Sequence, residues 1–357
     1  LANKSGVKAY PEWKQYNGLH TYLGAPVPAY DISKISRTSR RTMSRMSEMA
    51  VLATQEALAQ AKLNLKPHEY TPRIALCLGS TTGSPEIFEA HFKKMFEKGG
   101  PEGQLGTTFF KVMSHSVTSN VASALGFYGP AIAPSSACAT SAQALILGWE
   151  LMQSGLYDIV IAGGADEIHY TGAAVFDIVQ AASRGYNDRP EIASRPFDAD
   201  RDGLVISEGA SIVILESEAS VNRREVKKLA KFWGGAYTCD GTHMSQSQKE
   251  SMVQTMKESL ERAKIKPETI QYVNAHATAT LYGDQEEAKA IGELFGSQVP
   301  VSSLKGHLGH SLSACGALEV IASIKMIETG TLIPTRNLDK IDPECSQVLH
   351  LQQKVET

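Results

Sequence analysis

The stretch APSSACATSAQALILGWELM, residues 133–152, sets Cys138 among small residues directly before an apolar run with helical periodicity. A free thiol titrates near ~8.5 and is mostly protonated at neutral pH. At a helix start the unpaired N–H groups and the macrodipole favour the anion. That placement can draw a thiol down to about 3.5–7.5 and predicts a nucleophile. Ala137 and Ala139 leave room for a substrate, and the cysteine's own N–H is a candidate oxyanion donor. The competing reading is a small buried core residue. Cys77, Cys239, Cys315 and Cys345 are read as structural.

Two further stretches carry imidazoles. In YVNAHATATLYGDQEEAKA, His276 ends an apolar strand, where α/β folds collect ligand chemistry. Thr278 and Thr280 alternate with alanines, so their hydroxyls can line one side of a channel; a structural histidine with loop threonines is the alternative. In VPVSSLKGHLGHSLSACGALE, a Gly-punctuated turn carries Lys305, His307 and His310. Lys305 precedes the glycines instead of opening the helix, so a phosphate loop fits poorly. His307 and His310 have a spacing that zinc accepts, but no H-E-x-x-H pattern or nearby cysteine pair accompanies them, and no metal site is assigned. If the fold gathers one thiol and two imidazoles, one ring can hold or deprotonate the sulfur. Both can then stabilise a developing enolate through inward N–H groups.

The elements that must position these groups alternate. RIALCLGS, DIVIAGGA, ASIVILES, IQYVNAHA and VPVSSLKG read as buried strands. SEMAVLATQEALAQAKL, ATSAQALILGWELMQSG, MVQTMKESLERAKI, GDQEEAKAIGELFG and GALEVIASIKMIETG read as helices. Apolar strands separated by helices predict α/β architecture with parallel sheet covered on both faces. Residues 99–108 and 184–203 are expected to be long functional loops. SSACATSAQALILGWELMQSG and GHSLSACGALEVIASIKMIETG share a polar turn, a small-residue run and an apolar helix ending at Gly. Such symmetry fits a duplicated fold that divides near residue 228, with two small-faced helices in contact.

Composition narrows the class. The 357 residues are 42% hydrophobic and 20% charged, enough apolar surface for a sizeable core. A net charge of −3 gives no global field for nucleic acid. Five irregularly spaced cysteines suit a reducing cytoplasm better than a disulfide framework. No apolar run reaches the ~18 residues of a membrane span, and LANKSGVKAYPEW has no signal-peptide core.

At SSACATSAQAL, SRPFDADRDGLVISEGAS, VNAHATAT…GD..E and SSLKGHLGHSLSACGALE, the chain resembles the elongating β-ketoacyl-acyl-carrier-protein synthases, in order along almost its whole length. The resemblance implies a thiolase-like duplicated fold: five layers, αβαβα, with two mixed sheets and buried central helices. It implies a half at 1–227 carrying the nucleophile and a half at 228–357 carrying both histidines. The implied reaction is decarboxylative Claisen condensation of malonyl-carrier protein with an acyl chain on Cys138, in fatty-acid or related polyketide-like elongation. His276 and His310 match the decarboxylating pair. Lys305 matches a lysine that supports the site near the histidines and Glu319. Thr278 and Thr280 match the threonines that bind the phosphopantetheine arm, which arrives on the carrier, so no cofactor of the enzyme's own is implied.

Carrier proteins of this kind are acidic, and KISRTSRRTMSRMSEM offers cations. Lys34, Arg37, Arg41 and Arg45 step by three, four and four, as on one helical face; a merely solvated face is the alternative. Arg41 and Arg201 fall where the family docks its carrier, and Arg45 joins them. The family also implies a homodimer, with residues 109–125 near its interface. Two other readings stay open: a non-catalytic chain-length partner in a heterodimer, and a Cys-His thioester hydrolase.

Some positions depart from the family. Ala277 and Ala279 stand where Gly and Ser are common, Leu204 where Phe is common, and Ser207 and Ser211 where Gly is frequent. Gly106 lies near the position that limits acyl depth. The family's opening VVITGxG strand and closing GFGGTN hairpin fall outside LANKSGV and LQQKVET. The expectation is that the sequence omits the ends of a longer protein.

Overall fold

The computed structural model describes residues 3–242, 246 and 248–356. An antiparallel pair, β1 (Lys8–Ala9) and β2 (Leu23–Gly24), precedes the main sheet. That sheet contains β3 (Ile74–Gly79), β4 (Ala131–Ile132), β5 (Ile159–Asp166) and β6 (Gly209–Glu216), in the order β4-β3-β5-β6. β3 runs parallel to both β4 and β5, while β6 is antiparallel to β5. The sheet is therefore mixed, as the family resemblance implies, where the apolar pattern alone pointed to parallel sheet. Between β5 and β6 the chain passes through a helix, Tyr170–Ile178, and then the long 184–203 segment with the 3-10 turn Pro190–Ile192.

Side-chain alternation explains how this sheet is buried on both faces. Leu76, Leu78 and Ile161 point to one side and pack with Met46, Ala50 and Val51 of helix α1 (Arg45–Gln60). After α2 (Pro85–Lys98) and α3 (Gly106–Val112), helix α4 (Ser116–Leu125) adds Val117 and Val121 to that face. Ala75, Cys77, Val160 and Ala162 point to the other side, against Ala144 and Leu145 of α5 (Thr140–Gln153). The predicted loop at 99–108 thus ends in the first turns of α3.

The chain continues through α6 (Tyr170–Ile178), α7 (Glu218–Arg224) and α8 (Lys249–Ala263). A second sheet of β7 (Val273–Asn274), β8 (Pro300–Ser302) and, later in the chain, Leu349–His350 is parallel throughout its described pairs. Helix α9 (Leu281–Phe295) packs Ala288 and Ile291 on it, beside Phe197, Ala275 and Val301. Short α10 (Lys305–Leu308) leads through a turn into α11 (Cys315–Thr329).

Helices α5 and α11 meet through small residues. A Cβ on Gly316 would stand 2.9 Å from the Cβ of Ala142. Ala317 N–H donates to Ser141 Oγ at 3.0 Å across the same contact. The turns that open these two helices are therefore held side by side, and they carry the chemistry.

The basic segment differs from its sequence pattern. Residues 32–34 and 39–42 form separate 3-10 turns before α1, so Lys34, Arg37, Arg41 and Arg45 share no helical face. The spacing fits a helix, but Asp31 caps a short turn through Ser33 N–H and the backbone is extended at Ile35 and Met43.

Candidate active site

Cys138 sits in the 3-10 turn Ala137–Ala139, immediately before α5. Ala137 adopts φ +47°, a left-handed conformation that costs a non-glycine residue about 1–3 kcal/mol. Hydrogen bonds hold it there. Thr140 Oγ1 donates to Ala137 O and accepts from Ser136 N–H, both at 2.8 Å. Thr81 Oγ1 reaches the same carbonyl at 3.2 Å, and Ser135 Oγ donates to Ser80 O at 3.1 Å. Gly79 allows this approach, since a Cβ there would lie 2.0 Å from Pro134 O.

His310 is positioned by its backbone. Its N–H donates to Val205 O and its carbonyl accepts from Ser207 N–H, each at 2.8 Å, which bridges it to the strand-like residues before β6. This brings Nε2 to 2.9 Å from Cys138 Sγ. The Nδ1 atom has no hydrogen-bond partner among the described residues. Leu204, Val205 and Ile206 are buried; Leu204 packs with Trp13, Leu19 and Ala173.

His276 follows β7, and the Glu287 carboxylate of α9 accepts from the N–H groups of His276 (2.7 Å) and Ala277 (2.6 Å). Its ring lies 5.2 Å from that of His310 at 87°. Cys138, His276 and His310 each offer a donor atom within 4.8 Å of the others. The two rings differ in setting: His310 is buried, whereas His276 is open to solvent at the bottom of surrounding protein. Lys305 Nζ approaches His276 Nδ1 at 3.3 Å and pairs closely with Glu319 of α11. An ammonium donating to Nδ1 leaves the ring proton on Nε2.

The electrostatics follow from burial. Desolvation pushes both imidazoles well below 6.5, with Lys305 adding to the effect, so both rings are neutral near neutral pH. Burial also pushes the Cys138 thiol up; Lys305 opposes this, and Asp166 and Glu319 reinforce it. The thiol stands at a helix opening as the sequence predicts, but its shift is opposite to the expected lowering. His276, Cys315 and Glu319 form a second group of donors within 4.8 Å. Soft metals accept such sets. Here the Lys305 ammonium already supplies the positive charge and occupies His276 Nδ1, an arrangement suited to moving protons and stabilising an oxyanion.

The remaining predicted residues divide. Thr278 is buried and its hydroxyl lies 3.1 Å from that of Thr280, on the loop after His276. Arg41, with Lys34 and Arg37, is exposed. Arg45 instead grips the buried Glu208 carboxylate through Nε (2.8 Å) and Nη2 (2.6 Å), so most of its charge is spent inside. Arg201 is a correction: its side chain is fully buried. It pairs with Asp342 at 2.8 Å and lies 3.5 Å from Asp284. Its guanidinium also donates to the carbonyls of Asp198 and Leu281. A guanidinium enclosed in this way cannot present itself to a carrier's surface. Gly106 opens α3 at the surface, with open space where a Cβ would stand.

Sequence reasoning passed over several residues. Cys315, read as structural, donates its thiol to Cys138 O at 3.2 Å. Asp284 accepts from Ala279 N–H at 3.1 Å, which secures the left-handed Ala279 (φ +71°) in the threonine loop. The signal for Asp284 and Glu287 was the G-D-x-x-E spacing after His276; the signal for Asp166 was an acid ending an otherwise apolar strand.

Comparison with known proteins places this geometry. Residues 1–220 match the model "Beta-ketoacyl synthase, N-terminal domain", and residues 229–339 match "Beta-ketoacyl synthase, C-terminal domain". The chain is 34% identical to 3-oxoacyl-[acyl-carrier-protein] synthase 1 of Escherichia coli K12 over 349 residues, 96% of this chain and 84% of that one. A solved beta-ketoacyl synthase from Burkholderia phymatum STM815 superposes with a TM-score of 0.95 at 36% identity, covering 99% of this chain and 87% of that chain. A type II polyketide ketosynthase, solved with its acyl-carrier protein and bound to the hexaketide, superposes with a TM-score of 0.88 at 26% identity, covering 99% and 86%.

Proposed function

The chain belongs to the β-ketoacyl-acyl-carrier-protein synthase family of condensing enzymes, and we propose that Cys138, His276 and His310 divide the family's reaction among them. It is an acyltransferase of the 3-oxoacyl-acyl-carrier-protein synthase type, acting in fatty-acid or polyketide elongation on carrier-bound substrates. The 2.9 Å contact between thiol and imidazole carries the assignment of roles.

In the first half-reaction the Cys138 proton passes toward His310 Nε2. The sulfur attacks the acyl thioester carbonyl, and the carrier thiol leaves with a proton. In the second half-reaction the malonyl C–C bond breaks and CO2 departs. Its electron pair delocalises onto the thioester oxygen, which Nε2–H of His276 stabilises, joined by His310 once the proton on its Nδ1, partnerless among the described residues, has exchanged to Nε2. The resulting carbanion attacks the acyl-cysteine carbonyl. The tetrahedral intermediate collapses, expelling the Cys138 sulfur, which takes up a proton from solvent, and leaving a 3-oxoacyl thioester on the carrier. Lys305, held by Glu319, fixes the His276 proton on Nε2. Thr278 and Thr280 hydrogen-bond the incoming phosphopantetheine arm.

The finer architecture belongs to the same reading. Contact between α5 and α11 supports a duplicated five-layer αβαβα fold. The interval between the two family matches supports a division at 227/228. Exposed Phe109 and Phe110 suit a homodimer contact. Exposed Lys34, Arg37 and Arg41 suit docking of an acidic carrier. Five unpaired thiols suit a reducing, cytoplasmic setting. No helix among the described residues is long and apolar enough to cross a membrane.

The test mixes enzyme, acyl-carrier protein and malonyl-carrier protein, and follows CO2 and 3-oxoacyl product. Cys138→Ala is expected to abolish condensation while malonyl decarboxylation continues. Condensation by Cys138→Ala, or neither product from the unaltered full-length enzyme, would overturn the assignment.

A further inference from the structure

The reaction as described makes no use of Asp166, a carboxylate buried completely at the C-terminal end of β5. Its oxygens are nevertheless fully engaged. Oδ1 accepts from Ser80 Oγ at 2.5 Å and from Thr81 N–H at 3.0 Å. Oδ2 accepts from Ser313 N–H at 2.8 Å and shares the Thr81 N–H at 3.2 Å.

Each donor belongs to a segment that builds the site. Ser80 and Thr81 brace the nucleophile turn through Ser135 Oγ and Ala137 O. Ser313 lies three residues after His310, in the turn Leu312–Ala314 that opens α11; Leu312 there has φ +50°. Gly164 permits the approach, since a Cβ would stand 2.6 Å from Ser313 O. One carboxylate thus ties together two turns that each carry a left-handed residue, Ala137 in one and Leu312 in the other.

We propose that Asp166 is a positioning residue that sets the Cys138–His310 geometry by clamping the turn that carries the sulfur to the turn that follows the imidazole. This rests on the assignment of Cys138 and His310 above and deepens it. The negative charge of Asp166 also acts on the sulfur and pushes the thiol up. A purely mechanical support would not, so the two contributions can be read separately.

Three variants of the full chain test this. In Asp166→Asn the amide keeps an acceptor for one turn, sets N–H against N–H at the other and removes the charge. Thr81→Val breaks the link to Ala137 O and keeps the Asp166 carboxylate in place. Asp166→Glu restores the charge. Two assays are run: condensation, giving kcat and KM, and the pH profile of Cys138 alkylation by iodoacetamide, followed by peptide mass spectrometry. Other groups acting on the thiol, namely His310, His276, Lys305, Glu319 and Cys315, are unchanged in all three.

Asp166→Asn is expected to lower kcat roughly tenfold to a hundredfold with little change in KM, as misplacement of reacting groups does. Its alkylation profile should move to lower pH. Thr81→Val should lower kcat and leave the profile in place, and Asp166→Glu should return the profile to that of the unaltered protein. A folded Asp166→Asn with an unmoved profile or unchanged kcat overturns the proposal. If Asp166→Asn does not fold, unchanged kcat in Thr81→Val overturns it. Absence of condensation in the unaltered chain strikes the functional assignment instead, and the alkylation comparison still judges Asp166.

Discussion

The sulfur and the two rings are neutral at rest, and this makes the site sensitive to pH in a definite direction. Desolvation by the surrounding protein, with Lys305 adding to it, depresses both imidazoles in the folded chain, while in the unfolded chain they titrate at ~6.5. Below that value the unfolded state binds protons that the folded state refuses, so stability falls as pH drops from about 6.5 toward the folded values. Catalysis follows the same sign. Decarboxylation by Cys138→Ala, which isolates the histidine pair, should stay flat from pH ~8 to ~6.5 and decline only at more acid values. A midpoint above pH ~6.5 in the rate profile would contradict neutral, desolvated rings.

Elements explain why one predicted docking cation became a structural one. Arg201 joins the 198–203 loop to the start of α9 and to Asp342, with no solvent access. Removing one member of a buried pair typically costs ~3–5 kcal/mol, because the other charge is left uncompensated. Arg201→Met is therefore expected to lower the urea midpoint strongly, and the variant that remains folded should bind carrier protein as before. Helices α5, α8, α9 and α11 were legible in sequence because their apolar periodicity is long and their ends are marked by Gly or a polar turn. Helices α2, α3 and α4 were not singled out. Their apolar faces are short or, as with Phe92, Phe96, Phe109 and Phe110, exposed, so core periodicity is weak. The direction of β6 was invisible for a related reason: an apolar strand reads the same either way, and only the path of the preceding loop decides.

Across the whole molecule, charge is sparse and local. Lys34, Arg37 and Arg41 stay exposed on one segment while Arg45 and Arg201 are consumed internally. Carrier docking through exposed cations should weaken with salt. Arg41→Glu is expected to raise KM for acyl-carrier protein several-fold at low ionic strength, from the ~0.2–1 kcal/mol of each surface contact, with kcat unchanged. An unchanged KM would move the docking surface elsewhere. The three side chains assigned to the chemistry were legible because Cys138 opens a helix, His276 follows an apolar strand and His310 lies in a Gly-punctuated turn; their supports were not, since backbone bridges such as that of His310 to Val205 and Ser207 leave no side-chain signature. That bridge has a consequence for how the protein ages on heating. The imidazole is borne by the later half of the chain but registered by the earlier one, so neither half can loosen without detuning the thiol. Residual turnover after a heat pulse should then track the surviving tertiary signal in one coincident transition, with no inactive yet compact species lingering between.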